Sequence, residues 1–193
     1  MSPLTVLALS GSLRKASLNS AMLKMAADCA PPGLHIKLYR GLGALPLFNP
    51  DLEAEEPLSV AQLRDEIGSA DALLIASPEY AHGVSGVMKN ALDWMVATGV
   101  FVAKPVVLWN ASPRASHALA ALRKTLTVMS ARWIDEASLE LLIKSPETGA
   151  APANPDPEAM LQALLLLRGS LFAAHAGAGS DAWASAGPER HPG

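Results

Sequence analysis

Three runs in this chain are apolar almost without a break: Leu4-Thr5-Val6-Leu7-Ala8-Leu9, Ala72-Leu73-Leu74-Ile75-Ala76 and Pro105-Val106-Val107-Leu108-Trp109. Each is too short for a buried helix and does not alternate, which is how strands covered on both faces of a parallel sheet read. Parallel strands need long crossovers, and helical patterns fill the gaps. Residues 18–30 follow Ser17, a candidate N-cap, and residues 58–68 follow Pro57. Residues 86–97 place Met88, Ala91, Leu92 and Met95 at i, i+3, i+4 and i+7; residues 115–131 do the same with Leu119, Leu122, Leu126 and Met129. A fifth helix is predicted over about 156–175, after Pro155-Asp156-Pro157. With two weaker strand candidates, 35–39 and 134–142, strand and helix alternate about five times, the pattern of an α/β domain.

The chain has 193 residues, half of them hydrophobic, which suits one domain with a sizeable core. Residues 1–176 are assigned to that domain, and 177–193, rich in Gly, Ala, Ser and Pro, are expected to be disordered. Segment 145–155 reads as a loop, and the excursion 41–56 as a functional or interface element. A net charge of −3 and 17% charged residues leave no basic surplus for nucleic acid. Cys29 is the single cysteine, so no intrachain disulfide forms, and its expected role is that of a small apolar residue near a helix end. The apolar run Leu161 to Leu171 contains Arg168 and falls short of the ~20 residues of a membrane span. A cytoplasmic protein with no membrane partner is expected.

In an open doubly wound sheet, ligands bind beyond the carboxyl ends of the strands where the strand order reverses. Two loops stand there. Ser10-Gly11-Ser12-Leu13-Arg14-Lys15-Ala16-Ser17-Leu18-Asn19 follows the first strand and opens a helix. Ser77-Pro78-Glu79-Tyr80-Ala81-His82-Gly83 follows the third. Ser12, Ser17 and Asn19, with the backbone N–H groups of 13–19, supply the donors that a phosphate needs without a dedicated lysine. Arg14 is placed to meet the same phosphate or one just outside it. The second loop, turn-rich and carrying an aromatic, suits the flank of a flat ring. Together they indicate a bound mononucleotide, with FMN the best fit. Other signatures fail: Gly83-Val84-Ser85-Gly86-Val87 misplaces the last glycine of a nucleophile elbow, no Gly-Lys-Ser/Thr is present, and the histidines show no metal spacing. No metal is assigned.

Gly-Ser-Leu-Arg-Lys-Ala-Ser-Leu-Asn at 11–19 and Pro-Glu-Tyr-Ala-His-Gly-Val-Ser-Gly-Val-Met-Lys-Asn-Ala-Leu-Asp-Trp at 78–94 resemble the NADPH-dependent FMN reductase family, which includes chromate, azo and quinone reductases. The resemblance, with Lys104-Pro105-Val106 opening the fourth strand, runs over most of residues 3–145. It implies a flavodoxin-like three-layer sandwich: a five-stranded parallel sheet of order 2-1-3-4-5 with helices on both faces. It implies that Gly11, Ser12, Arg14, Ser17, Leu18 and Asn19 hold the ribityl phosphate. Pro78, Glu79, Tyr80 and Ala81 would line the isoalloxazine, and Tyr80, His82 and Gly83 the substrate pocket. Ser112 stands where a further flavin contact is expected, in a loop (Asn110 to His117) bulkier than the glycine-rich stretch common in relatives.

The resemblance further implies a homodimer or homotetramer. NADPH or NADH would reduce the flavin, which passes electrons to a small acceptor (free flavin, quinone, azo compound or a metal oxyanion such as chromate) by a ping-pong mechanism. The chemistry belongs to the cofactor, so no catalytic side chain is assigned. The competing expectation is a flavodoxin-like, non-catalytic electron carrier, which the near-neutral charge disfavours because such carriers usually present an acidic docking face.

Overall fold

The computed structural model describes residues 2–112, 115–140 and 156–184, the last eight as backbone alone. The loop expected at 145–155 and residues 185–193 of the expected disordered tail lie outside the described residues. In chain order the strands are β1 (Leu4–Ser10), β2 (Leu34–Tyr39), β3 (Ala72–Ala76), β4 (Glu79–Tyr80), β5 (Gly83–Val84), β6 (Pro105–Asn110), β7 (Arg132–Trp133) and β8 (Leu139–Glu140). The helices are α1 (Leu18–Asp28), α2 (Leu58–Ser69), α3 (Gly86–Met95), α4 (Ser116–Val128) and α5 (Pro157–Ala184).

Strand order in the main sheet is β2-β1-β3-β6-β7, every pair parallel, with β8 also beside β6. With the β4–β5 hairpin set aside, this is the 2-1-3-4-5 order that the resemblance implied. The fifth position differs in detail: pairing starts at Arg132, and a 3-10 turn at Asp135–Ala137 divides β7 from β8. Ile134 and Ala137 are buried there, while Asp135 and Glu136 face solvent. Two adjacent carboxylates are poor occupants of a pleated, half-buried strand, so the chain turns them outward.

Near-continuous apolarity follows from the two faces of the sheet. Leu4, Val6 and Ala8 of β1, with Leu74 and Val107, pack against Met22, Leu23 and Ala26 of α1 and against Met160, Leu164, Leu167 and Leu171 of α5. The alternate residues Leu7, Leu9, Leu73, Ile75 and Val106 pack against Leu63 and Ile67 of α2, Met88 and Leu92 of α3, and Leu122 and Leu126 of α4. β3 and β6 feed both layers with apolar residues, as β1 does apart from Thr5, whereas the edge strand β2 leaves His35 and Lys37 exposed. Cys29 sits at the α1 C-terminus, half-buried against the first cluster, with burial pushing its thiol pKa up. That is the unreactive role expected of it.

The backbone of helix α5 continues to Ala184. Its Pro157–Ala176 stretch, 20 residues of mean hydropathy 1.3, is long and apolar enough to cross a membrane, although the run 161–171 alone is not. The stripe Met160, Ala163, Leu164, Leu167 and Leu171 packs on the sheet, and the Arg168 guanidinium donates to the Pro32 carbonyl (2.8 Å). Such a one-sided stripe is the packing of a core helix.

Candidate cofactor-binding site

At the carboxyl end of β1 the ladder runs on for one residue, as the Gly11 N–H donates to the Ala76 carbonyl (2.8 Å). A Cβ at Gly11 would lie 2.3 Å from Ser77 Oγ and 2.8 Å from Ser85 Oγ, so only glycine lets the first loop cross the second so closely. The first loop then shapes itself with its own hydroxyls. The Ser12 N–H donates to Ser10 Oγ and the Arg14 N–H to Ser12 Oγ, both at 3.4 Å, while Ser10 and Ser20 hydroxyls meet at 2.8 Å. Ser17 is the N-cap of α1, its hydroxyl accepting from the Ser20 N–H (3.2 Å). By helix geometry the N–H groups of Leu18 and Asn19 have no intrahelical acceptor and point out of the helix end. Asn19 is 8% exposed, and its Oδ1 has no partner.

After β3 the chain forms the hairpin β4–β5, closed by Ala81 and His82, both in the left-handed region (φ 49° and 59°). Glu79 lies at its base, its side chain 11% exposed. One carboxylate oxygen accepts from the Ala118 N–H (2.9 Å), and the other meets His82 Nδ1 (3.0 Å). Ala118 is the third residue of α4, whose own N-cap, Ala115, has no side chain to offer. Glu79 is therefore the cap of a helix 39 residues away. The Ala118 N–H foremost, then the imidazoles of His82 and His117, hold its pKa below the usual carboxylate value against the opposing effect of burial. The His82 and His117 rings meet edge to face, 4.6 Å between centroids. The sequence placed Glu79 beside the ring system, where its charge would oppose a reduced flavin; the structure turns that charge onto α4.

Ser85 closes this loop, capping α3 through the Met88 N–H (3.3 Å) and meeting Ser77 Oγ (3.2 Å). Further along α3, Asn90 and Trp94 take the excursion in hand. The Asn90 amide and the Trp94 Nε1 both donate to the Pro46 carbonyl (2.9 Å each), and the Phe48 N–H donates to Asn90 Oδ1 (2.8 Å). The third loop is set by buried Asn110, whose Oδ1 accepts from the Ser112 N–H (3.0 Å).

All three loops open into one cavity of about 1350 Å³. Of the residues expected to bind cofactor, Ser12, Arg14, Ser17, Leu18, Asn19, Pro78, Glu79, Tyr80 and Ser112 line it, as does His82. Gly11, Ala81 and Gly83 are not in its wall: Gly11 supports the loop crossing, and the other two shape the hairpin. Sequence reasoning missed the far end of the cavity, where Tyr39 ends β2 and Arg40 and Leu42 follow it. The signal available was positional, since β2 also ends at the binding edge. Among the described residues no group of His, Cys, Asp and Glu is arranged to hold a metal ion.

A doubly wound sheet whose loops after β1 and β3 share a hydroxyl-rich cavity at the helix N-terminus defines a mononucleotide-binding protein of the flavodoxin-like class. The sequence profile of the NADPH-dependent FMN reductases matches residues 4–140, and the chain belongs to that family of oxidoreductases. It is 38% identical over 148 residues to the NAD(P)H-dependent FMN reductase of Pseudomonas aeruginosa, covering 74% of this chain and 78% of that one. With the NADPH:quinone oxidoreductase of Arabidopsis thaliana it shares 43% over 115 residues, 57% of this chain and 55% of the plant protein. Among solved structures, the flavoenzyme NAD(P)H:(acceptor) oxidoreductase of Paracoccus denitrificans superposes with a TM-score of 0.69 at 31% identity, covering 88% of this chain and 93% of that one.

FMN and NAD(P)H are the cofactors expected of this family. The residues present fit the FMN phosphate on a local observation. A buried amide end without a partner costs free energy. Asn19 presents one at the mouth of a helix whose first N–H groups face the same space. Phosphate oxygens accept from those N–H groups, whereas the Asn19 oxygen is an acceptor and is suited by a donor such as a ribityl hydroxyl.

Proposed function

We propose that the protein is an FMN-dependent NAD(P)H oxidoreductase that reduces a small acceptor: free flavin, a quinone, an azo compound or a metal oxyanion such as chromate. Reductant and acceptor would occupy the same cavity in turn, giving ping-pong kinetics. When bound, FMN supplies the two-electron chemistry, accepting hydride from the nicotinamide and releasing electrons to the acceptor.

The protein's part is to bind and orient. Ser12, Arg14, Ser17, Leu18 and Asn19, supported by Gly11, hold the phosphate. Pro78, Glu79, Tyr80, Ala81 and Ser112 frame the ring. With Glu79 engaged by the Ala118 N–H and His82, backbone N–H groups of the hairpin are left to favour negative charge on the ring. Tyr80, 54% exposed, and His82, with Gly83 at the hairpin's return, form the acceptor side. The observation that carries this reading is that one cavity joins all three loops, with the N-terminus of α1 and the Ser12 and Ser17 hydroxyls at its phosphate end.

The deciding experiment is an absorption spectrum of purified protein after addition of FMN and removal of the excess, followed by anaerobic NADPH and NADH. Retained flavin bands that bleach support the reductase; retained bands that resist both nicotinamides favour an electron carrier; no retained flavin overturns the reading. Tyr80→Ala and His82→Ala should each change the relative kcat/KM among several acceptors, and unchanged profiles would remove these residues from the acceptor pocket. The protein is further proposed to act in the cytoplasm as a homodimer or homotetramer. Leu47 and Leu58, 83% and 74% exposed beside the excursion, are surface that a second copy would cover, and light scattering gives the oligomeric state.

A further inference from the structure

The cavity is too large and too basic for a flavin mononucleotide alone. Its 1350 Å³ exceeds the roughly 300–1,000 Å³ usual for a single small-molecule site. Past the phosphate loop it continues to the carboxyl end of β2, where Tyr39, Arg40 and Leu42 line it opposite Ala21 and Lys24 of α1. β2 is the edge strand, two positions from β3 in the sheet, or about 10 Å at the usual strand spacing. A ring framed by the loops after β3 and β6, with its phosphate at α1, does not extend into this lobe.

The charge is equally unspent. Four cations line the cavity, Arg14, Lys15, Lys24 and Arg40, against one carboxylate, Glu79, on a chain of net charge −3. Glu79 stands at the opposite end and is held by the Ala118 N–H and His82. Lys24 pairs with Asp28 on its own helix (2.6 Å); Arg14, Lys15 and Arg40 make no ion pair among the described residues. One phosphate monoester carries about −1.5 to −2 charges, which two cations balance. With Arg14 and Lys15 at the phosphate loop and Lys24 shared with Asp28, Arg40 is the cation left for a second anionic group, and a concave basic wall concentrates its field there. The lobe also has an apolar side: Leu42 is buried and Tyr39 half-buried. A Cβ at Gly41 would fall 2.5 Å from the Tyr39 hydroxyl, so the chain folds back over that ring only because residue 41 is glycine.

We propose that this lobe receives the adenosine 2′-phosphate end of NADPH, with Arg40 the residue that separates NADPH from NADH. The inference rests on the reductase reading and names the preferred reductant for the same site. The Arg40 guanidinium would fork onto the 2′-phosphate, Lys24, shared with Asp28, adds positive charge, and the half-buried Tyr39 ring offers the adenine a flat surface. NADH brings only a ribose hydroxyl to the same place. Arg40 is exposed, so leaving it unpaired costs little, and the preference is modest, about tenfold.

The test is calorimetric titration of adenosine 2′,5′-bisphosphate and adenosine 5′-monophosphate into FMN-loaded protein and into the flavin-free chain. The bisphosphate should bind about tenfold tighter at low salt and lose most of that advantage at high salt. Arg40→Ala should abolish most of the difference and lower the NADPH/NADH ratio of kcat/KM, with FMN retention unchanged. Equal affinities in the parent protein, or discrimination that survives Arg40→Ala, would overturn the proposal. Retention of FAD in preference to FMN, with the bisphosphate then excluded, would give the lobe to a cofactor adenylate and overturn it too. Failure to retain FMN would sink the reductase reading instead, and the flavin-free titration would still decide on the lobe.

Discussion

Glu79 shows how one side chain is used at a distance from its place in the sequence. Its carboxylate caps α4 and ties the β4–β5 hairpin to that helix, and its pKa is depressed, chiefly by the Ala118 N–H. A carboxyl group with a lowered folded-state pKa contributes stability above its unfolded value, about 4.3, and loses it as pH falls through the folded value. Glu79→Gln keeps the shape and removes the charge. The variant should be less stable than the parent at pH 7 and at pH 5, and the gap should close below about pH 4. Urea unfolding at the three pH values checks this, and a gap independent of pH would show that charge is not what Glu79 contributes. Gly11→Ala tests the loop crossing. Forcing a methyl group against Ser77 and Ser85 should cost about 1–3 kcal/mol in urea unfolding and weaken FMN binding in parallel. The role of Ser17 as N-cap was legible from the sequence, because cap chemistry is local. The role of Glu79 was not, since its partner is 39 residues away and becomes a neighbour only after the sheet has formed.

Among the elements, those with a strong local period were the readable ones. The three apolar runs became β1, β3 and β6, and the i, i+3, i+4 stripes became α3 and α4, with ends displaced by three residues at most. Helix α3 stops at Met95 and gives way to a 3-10 turn ending at Gly99, whose φ of 70° marks the left-handed stop. The hairpin was illegible: two-residue strands carry no periodicity, and Ala81-His82 is not the Asn-Gly type of pair that such a turn favours. Left-handed backbone at a residue with a Cβ costs roughly 1–2 kcal/mol, and asparagine tolerates it better. Ala81→Asn should therefore stabilise the protein by about 0.5–1 kcal/mol, read as a higher urea midpoint at unchanged slope. A loss of stability would mean that Ala81 has a contact beyond the turn itself. In α5 the buried stripe makes Leu164 a core residue, and Leu164→Ala should cost about 2–5 kcal/mol in the same assay.

For the molecule as a whole, ligand binding and stability are linked, because only the folded chain brings the three loops together. FMN at one hundred times its dissociation constant should add about 2.7 kcal/mol. That is a rise in Tm of roughly 5–10 °C for a domain of this size. Riboflavin, which has the ring without the phosphate, should give much less at equal concentration, and equal shifts would place the binding energy on the ring rather than on Ser12, Ser17 and Asn19. The alternation of buried runs and helical stripes determined by itself that this is an α/β protein with a parallel sheet, because periodicity and burial preference are properties of consecutive residues. Motif chemistry likewise marked the loops after β1 and β3 as the binding edge. What only the tertiary structure decided is what those loops meet: the seating of Glu79 on α4, the crossing of Gly11 past Ser77 and Ser85, and the joining of the three loops to Tyr39 and Arg40 in one cavity. The reason is that the sheet sets side by side strands far apart in the chain, and no local pattern records which loops will then share a wall.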